Sequence, residues 1–141
     1  MSEESQVRTT PFYQMHVDAG AKMVPFAGYE MPVSYPLGIK KEHAHTRQFA
    51  GLFDVSHMGQ IKLSGENVMT ALESLVPVDI IDLPVMKTRY ALFTNENGGV
   101  MDDLMVTNLG HNSLFLVVNA ACKISDYDHL KKQLGSNYKV E

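Results

Sequence analysis

The residues NENGGVMDDLMVT, at positions 95–107, are predicted to form a glycine turn that opens into a β-strand. Residues 88–94 also have the composition of a strand, so 88–94 and 101–108 are predicted to pair as a β-hairpin. The second strand carries two adjacent carboxylates, Asp102 and Asp103, although strands disfavour aspartate. Because successive side chains of a strand point to opposite faces, the two carboxylates cannot share one environment.

Two explanations of this carboxylate pair are open. Asp103 shares a face with two methionines, where it would be partly desolvated and suited to act on a developing cation or an amine. Alternatively, both acids cap the hairpin turn by accepting hydrogen bonds from backbone N–H groups. The neighbouring strand adds Tyr90, which pairing would place near Asp103. A flat, partly charged ligand would suit that patch, and ordinary cross-strand packing is the alternative.

Outward from the hairpin, the apolar patterns predict the remaining elements of an α+β fold. They are a half-buried strand at 60–63, a helix at 65–76 with Ser64 as its N-cap, a buried strand at 114–118, a helix at 121–134 with Asn119 as its N-cap, and a strand from 137 onward. This order favours an antiparallel-rich sheet with two helices on one face.

The N-terminal third of the chain has a different character. Residues 1–8 are predicted to form a flexible tail, and residues 9–37 combine four prolines with many apolar side chains. Prolines argue against long helices and central strands, whereas the apolar content requires a surface to pack on. We therefore predict an irregular Pro-rich arm and a helix at 38–50. Residues 9–51 would belong to an incomplete first domain, and residues 52–141 to an α+β subdomain with the Asp pair.

The composition excludes several functions. The net charge of −4 and the pI of about 5.8 do not favour binding to nucleic acid or to an anionic membrane. A single cysteine precludes an intramolecular disulfide, and no apolar run reaches the roughly 18 residues of a membrane helix. The N-terminus resembles neither a signal nor a transit peptide. These observations predict a cytoplasmic protein.

Two common catalytic arrangements are also disfavoured. Ser56 and His57 are adjacent, but neighbouring residues of an extended segment point apart and cannot act as nucleophile and base. His43 and His45 lie on opposite sides of the predicted helix. The other four histidines are scattered along the chain, and no metal site is expected.

Five motifs occur in an order and spacing that resemble one enzyme family. They are TPFY at 10–13, GAKMVPFAG at 20–28, GLFDVSHMG at 51–59, NENGGVMDDL at 95–104 and VVNA at 117–120. Together they resemble the N-terminal part of the aminomethyltransferases, the T-proteins of the glycine cleavage system. The resemblance covers nearly the whole chain but about the first third of the family's length, so an N-terminal fragment is expected.

The resemblance implies a function and a site. Family members take the one-carbon unit from the aminomethyl-lipoyl arm of H-protein, release ammonia and transfer the carbon to tetrahydrofolate. The family's catalytic aspartate is the second of its Asp-Asp pair, here Asp103. Met58, Tyr90 and Val117 match positions that line the folate pocket. Phe115 stands where some members carry Tyr, so it brings no hydroxyl to that position.

Two other hypotheses stay open at this stage. One is a folate-dependent demethylase of the same superfamily, which would form methyltetrahydrofolate without H-protein. The other is a non-catalytic fragment, in which exposed strand edges would drive self-association and an incomplete pocket would leave little affinity for folate.

Overall fold

The computed structural model describes residues 7–141 of the chain. They fall in two compact units, which divide between His57 and Met58. The predicted tail at 1–8 lies largely outside the described residues, and Arg8 already belongs to a strand. Within the described residues, no helix is long and apolar enough to cross a membrane.

The first unit contains a small sheet and two helices. Its elements are β1 (Arg8–Thr9), α1 (Tyr13–Asp18), β2 (Lys22–Phe26), β3 (Tyr29–Ser34) and α2 (Ile39–Gln48). The strand order is β1-β3-β2, in which β3 runs parallel to β1 and antiparallel to β2. The helix predicted at 38–50 is confirmed as α2, but an irregular arm is the wrong description of residues 13–34.

The prolines of this unit occupy places where a strand tolerates them. Pro25 lies in the edge strand β2, and Pro32 lies in β3 opposite Met23. β1 pairs only with Tyr29 and Glu30 of β3, so among the described residues β3 has a single neighbour at Pro32. A proline at such a position removes no ladder hydrogen bond on its open side.

The second unit is the predicted α+β fold. Its elements are β4 (Gly59–Ser64), α3 (Val68–Glu73), β5 (Thr88–Thr94), β6 (Val100–Gly110), β7 (Ser113–Val118), α4 (Lys123–Leu134), a 3₁₀ turn (Gly135–Asn137) and β8 (Lys139–Val140). The five strands form one sheet in the order β5-β6-β7-β4-β8. Every strand pair in it is antiparallel.

Both helices of this unit pack on one face of the sheet. Alternate strand residues join residues of α3 and α4 in a single apolar cluster. Its fully buried members include Leu63, Val68, Leu72, Ile80, Phe93, Val106, Leu114, Leu116 and Leu130. The predicted arrangement of two helices on one face of an antiparallel sheet is therefore confirmed.

Both predicted helix caps are wrong. Ser64 ends β4, and α3 begins later, after Asn67, whose φ of 55° lies in the left-handed region. Helix α4 begins after Cys122 rather than after Asn119. Neither Asn67 nor Cys122 caps its helix through a side-chain hydrogen bond.

Candidate functional site

The sheet of the second unit has an open face, defined here by the strand side chains that point away from α3 and α4. It carries Tyr90, Leu92, Asp103, Met105, Phe115 and Val117. Tyr90 is 55% exposed and Met105 is 40% exposed. The helices cover the other face, so this one offers apolar, aromatic and acidic groups to a ligand.

The strand register brings the predicted site residues together. Tyr90 is opposite Met105, and Met105 is opposite Val117 on the next strand. Leu92 is opposite Asp103, and Thr107 is opposite Phe115.

Four of the five predicted site residues, Tyr90, Asp103, Phe115 and Val117, therefore lie on the open face. The fifth, Met58, is half-buried and directly precedes β4. Their roles in binding or catalysis stay predictions.

Asp103 is exposed on this face. The sequence predicted partial desolvation between methionines, and this is wrong for the described residues because helices cover only the opposite face. Its Oδ1 atom lies 2.7 Å from Nδ2 of Asn119, which donates a hydrogen bond. A hydrogen bond with Asp103 also raises the pKa of Tyr90, with a smaller contribution from desolvation.

Asp102 occupies the opposite environment and is 9% exposed. Its Oδ1 accepts from Asn119 Nδ2 at 2.9 Å, and its Oδ2 accepts from the backbone N–H of Asn119 at 3.3 Å. Burial alone would raise the pKa of Asp102, but hydrogen bonds with Asn119 and Asp126 outweigh it and lower the pKa. This carboxylate is therefore an anion held by fixed donors.

The alternative that the two acids cap the hairpin turn is wrong. Asn95 closes the turn, because its Oδ1 accepts from the backbone N–H groups of Asn97 at 3.0 Å and Gly99 at 2.9 Å. Gly98 supplies the positive φ, 75°, that the turn requires. The acids are left available for other contacts.

Asn119 is a site residue that its local sequence does not reveal. Leu104 pairs with Val118, so continuing the register by one residue places Asn119 beside Asp103. The spacing of the two strands contains this signal, whereas the local sequence around Asn119 predicts a helix cap. Its amide instead connects the two carboxylates of β6.

Asp126 of α4 is the second residue that sequence reasoning missed. It is 2% exposed and shares a hydrogen bond with Asp102. Burial raises the pKa of Asp126 to about 7, with a further contribution from Asp102. No sequence pattern marks it, since an aspartate in the first turn of a helix ordinarily faces solvent and favours the helix dipole.

The first unit has a polar network of its own. His16 Nε2 lies 3.0 Å from Asp54 Oδ2, and His16 Nδ1 lies 2.7 Å from the Tyr35 hydroxyl. Asp54 also accepts from Thr10 Oγ1 at 2.9 Å and from the Ser56 backbone N–H at 2.8 Å. Burial would raise the pKa of Asp54, but these hydrogen bonds hold it well below its usual range.

Within residues 7–141, no three His, Cys, Asp or Glu side chains are arranged to hold a metal ion. The two groupings of polar side chains described above are hydrogen-bond networks. Of the carboxylates on β6, Asp103 lies on the open face of the sheet, whereas Asp102 is buried.

Residues 12–141 match the protein family described as the GCVT N-terminal domain. A mitochondrial aminomethyltransferase of Dictyostelium discoideum is 46% identical over 94% of this chain and 33% of that protein. An aminomethyltransferase of Prochlorococcus marinus (strain NATL1A) is 44% identical over 89% of this chain and 35% of that protein. The chain thus spans about a third of the length of these curated relatives.

A solved structure of an aminomethyltransferase is also similar to this chain. The glycine cleavage system aminomethyltransferase T from Bartonella henselae superposes with a TM-score of 0.89 at 42% sequence identity. The match covers 95% of this chain and 37% of that one.

Proposed function

The chain belongs to the GCVT N-terminal domain family, and we propose on this basis that the full-length protein is a tetrahydrofolate-dependent aminomethyltransferase of the glycine cleavage system. Its donor would be the aminomethyl group on the lipoyl arm of H-protein. The products would be ammonia, dihydrolipoyl H-protein and methylenetetrahydrofolate. The names of the relatives and the five ordered motifs support this assignment.

One observation carries the proposal at the level of chemistry. Asp103 presents a carboxylate on an open sheet face beside Tyr90 and Met105, and the amide of Asn119 holds its Oδ1 at 2.7 Å. Transfer of an aminomethyl carbon develops positive, iminium-like charge. A carboxylate that is already oriented stabilises such charge without reorganising in the transition state.

Tetrahydrofolate, when bound, supplies the nucleophilic nitrogen that accepts the carbon. The residues of this chain would bind tetrahydrofolate and orient it. Val117 and Phe115, on one strand of the open face, offer apolar surface to a flat ring system, and Met58 is a further candidate at the start of β4. Tyr90 adds an aromatic ring, and its hydroxyl shares a hydrogen bond with Asp103.

The 141-residue chain on its own would bind folate weakly. Its candidate site is an exposed sheet face, whereas small-molecule sites normally bury most of the ligand. The edge strand β5 also leaves one side unpaired among the described residues, so the isolated chain is prone to self-association. A cytoplasmic location stays a prediction, since relatives include mitochondrial and bacterial proteins.

Product analysis tests the proposal. The full-length protein, aminomethylated H-protein and tetrahydrofolate are mixed, and folate products are separated by chromatography. We expect methylenetetrahydrofolate and ammonia in equal amounts, and no product when H-protein is omitted. Formation of methyltetrahydrofolate from a small methylated substrate without H-protein would identify a demethylase and overturn the assignment.

A further inference from the structure

A chain of hydrogen bonds connects helix α4 to the exposed carboxylate on the open face. It runs from Asp126 to Asp102, from Asp102 to Asn119, and from Asn119 to Asp103. Asn119 Nδ2 lies within hydrogen-bond distance of Asp102 Oδ1, Asp103 Oδ1 and the Asp103 carbonyl oxygen, at 2.9, 2.7 and 3.2 Å. The orientation of this amide therefore depends on both carboxylates.

The hydrogen bond between Asp126 and Asp102 requires a proton, because ionised carboxylates only accept. Asp102 already accepts N–H donors on both of its oxygens, as an anion does. Oδ2 of Asp126 has no hydrogen-bond partner among the described residues, and a buried ionised carboxylate left in this way would be costly. The proton therefore belongs to Asp126.

We propose that Asp126, as a neutral acid that donates its carboxyl hydrogen to Asp102, is a positioning residue for the exposed carboxylate of Asp103. The carboxyl hydrogen of Asp126 and the two N–H donors of Asn119 together hold Asp102 in one place. The amide of Asn119 is held in turn, and it fixes Asp103 Oδ1. Only the expected effect on kcat rests on the proposed function; the positioning of Asp103 by Asp126 does not.

Loss of the proton would reverse the effect of Asp126. Two anions would then face each other in a buried site, and their repulsion would displace Asp102 from Asn119. The elevated pKa of Asp126, which arises from burial and from Asp102, places this change near neutral pH.

Other titratable groups lie on the elements that meet at this point. They are Asp102 and Asp103 on β6, Cys122 directly before α4, Lys123 in the first turn of α4 against Gly59 of β4, Lys139 on β8, and Glu141 directly after β8. Lys139 and Glu141 pair with each other at 2.8 Å. Burial, the charge of Asp102 and a hydrogen bond with Asp102 raise the pKa of the Cys122 thiol. The thiol therefore stays neutral at neutral pH and is a further, weaker donor to Asp102.

Substitution of Asp126 in the full-length protein tests the proposal. Asp126→Asn keeps a neutral donor of nearly the same shape, and Asp126→Leu removes the donor. We expect Asp126→Leu to lower kcat by about ten- to a hundredfold, the cost of a misplaced catalytic group. The kcat of Asp126→Asn should stay within about threefold of the wild-type value. Any fall in kcat that begins near pH 7 in the wild type should be absent from this variant. Asp128→Asn and Asp128→Leu, at an exposed position of the same helix, are matched controls.

A spectroscopic readout separates this proposal from the proposed function. The side-chain amide of Asn119 is followed by ¹H–¹⁵N NMR between pH 5 and 9. We expect its signals to shift with a midpoint near 7 in the wild type and to stay constant in Asp126→Asn, whether or not the protein transfers aminomethyl groups. Constant wild-type signals, or equal losses of kcat in Asp126→Asn and Asp126→Leu, would overturn the positioning role.

Discussion

The side-chain amide of Asn119 donates a hydrogen bond to the exposed carboxylate of Asp103 across 2.7 Å. The same nitrogen lies 2.9 Å from the buried carboxylate of Asp102. One residue at the end of β7 thus couples the two faces of the sheet. The candidate site depends on this amide as much as on the acid that it presents.

Replacing Asn119 by aspartate should disrupt this coupling. Asn119→Asp has the same shape but removes the N–H donors and adds a third carboxylate beside two others. We expect a loss of roughly 1–3 kcal/mol in the free energy of unfolding, because a buried acceptor is left unsatisfied. Denaturant unfolding of the full-length protein measures it. Asn97→Asp makes the same change at an exposed turn position and should alter stability by less than about 0.5 kcal/mol.

The free energy of unfolding should depend on pH through Asp126. Its pKa is raised from 3.8 to about 7 in the folded state, so the folded protein binds this proton more tightly than the unfolded chain. The wild type should therefore lose stability relative to Asp126→Asn as pH rises from about 4 to about 7. One pKa unit corresponds to about 1.4 kcal/mol, so the difference is at most about 4 kcal/mol. A difference that stays constant across this range would contradict the protonated state of Asp126.

Asp54 should have the opposite pH dependence. Its pKa is lowered in the folded state, so its stabilisation is present above the unfolded pKa near 4 and is lost as pH falls through the folded pKa. Asp54→Asn should cost roughly 1–3 kcal/mol at pH 7, because it weakens hydrogen bonds from His16 and Thr10, and less at pH 3. Asp18→Asn is the exposed control, and unfolding midpoints at the two pH values provide the comparison.

Tyr90 should contribute to the site through its hydroxyl as well as its ring. The hydroxyl shares a hydrogen bond with Asp103, and exposed neutral-to-charged bonds of this kind are modest. Tyr90→Phe is expected to lower kcat/KM of the full-length protein by about two- to tenfold, while Tyr90→Ala lowers it further. Tyr13→Phe, in the other unit, should leave kcat/KM unchanged. Equal activity of Tyr90→Ala and wild type would remove Tyr90 from the site.

The sequence was most informative where periodicity and turn chemistry agreed. The hairpin of β5 and β6 follows from two strand patterns around a Gly-Gly turn, and the structure places Leu92 opposite Asp103 as that register predicts. Alternation also separated the two carboxylates correctly into unlike environments. It did not show that Asp102 is the buried one, because which face of a sheet is covered depends on helices placed by tertiary packing.

Other features depended on contacts that local patterns do not reveal. Asparagine is a common helix N-cap, but the side-chain amide of Asn119 donates to the carboxylates of Asp102 and Asp103 instead. Pro32 lies in a strand because β1 is short and leaves one side of β3 open among the described residues. The contact of Asp126 with Asp102 and the contact of His16 with Asp54 both connect residues that are distant in sequence. Nothing in the local sequence of these residues predicts either contact.

The role of Asp103 can be measured by single-turnover transfer with Asp103→Asn in the full-length protein, with aminomethylated H-protein and saturating tetrahydrofolate. Asn119 would still meet an oxygen acceptor in this variant, but the negative charge on the open face would be gone. We predict that the rate of methylenetetrahydrofolate formation falls by at least about a hundredfold, while Asp82→Asn, an exposed control, keeps the wild-type rate. A full-rate Asp103→Asn protein would contradict the assignment of Asp103 as the carboxylate that acts on the transferred carbon.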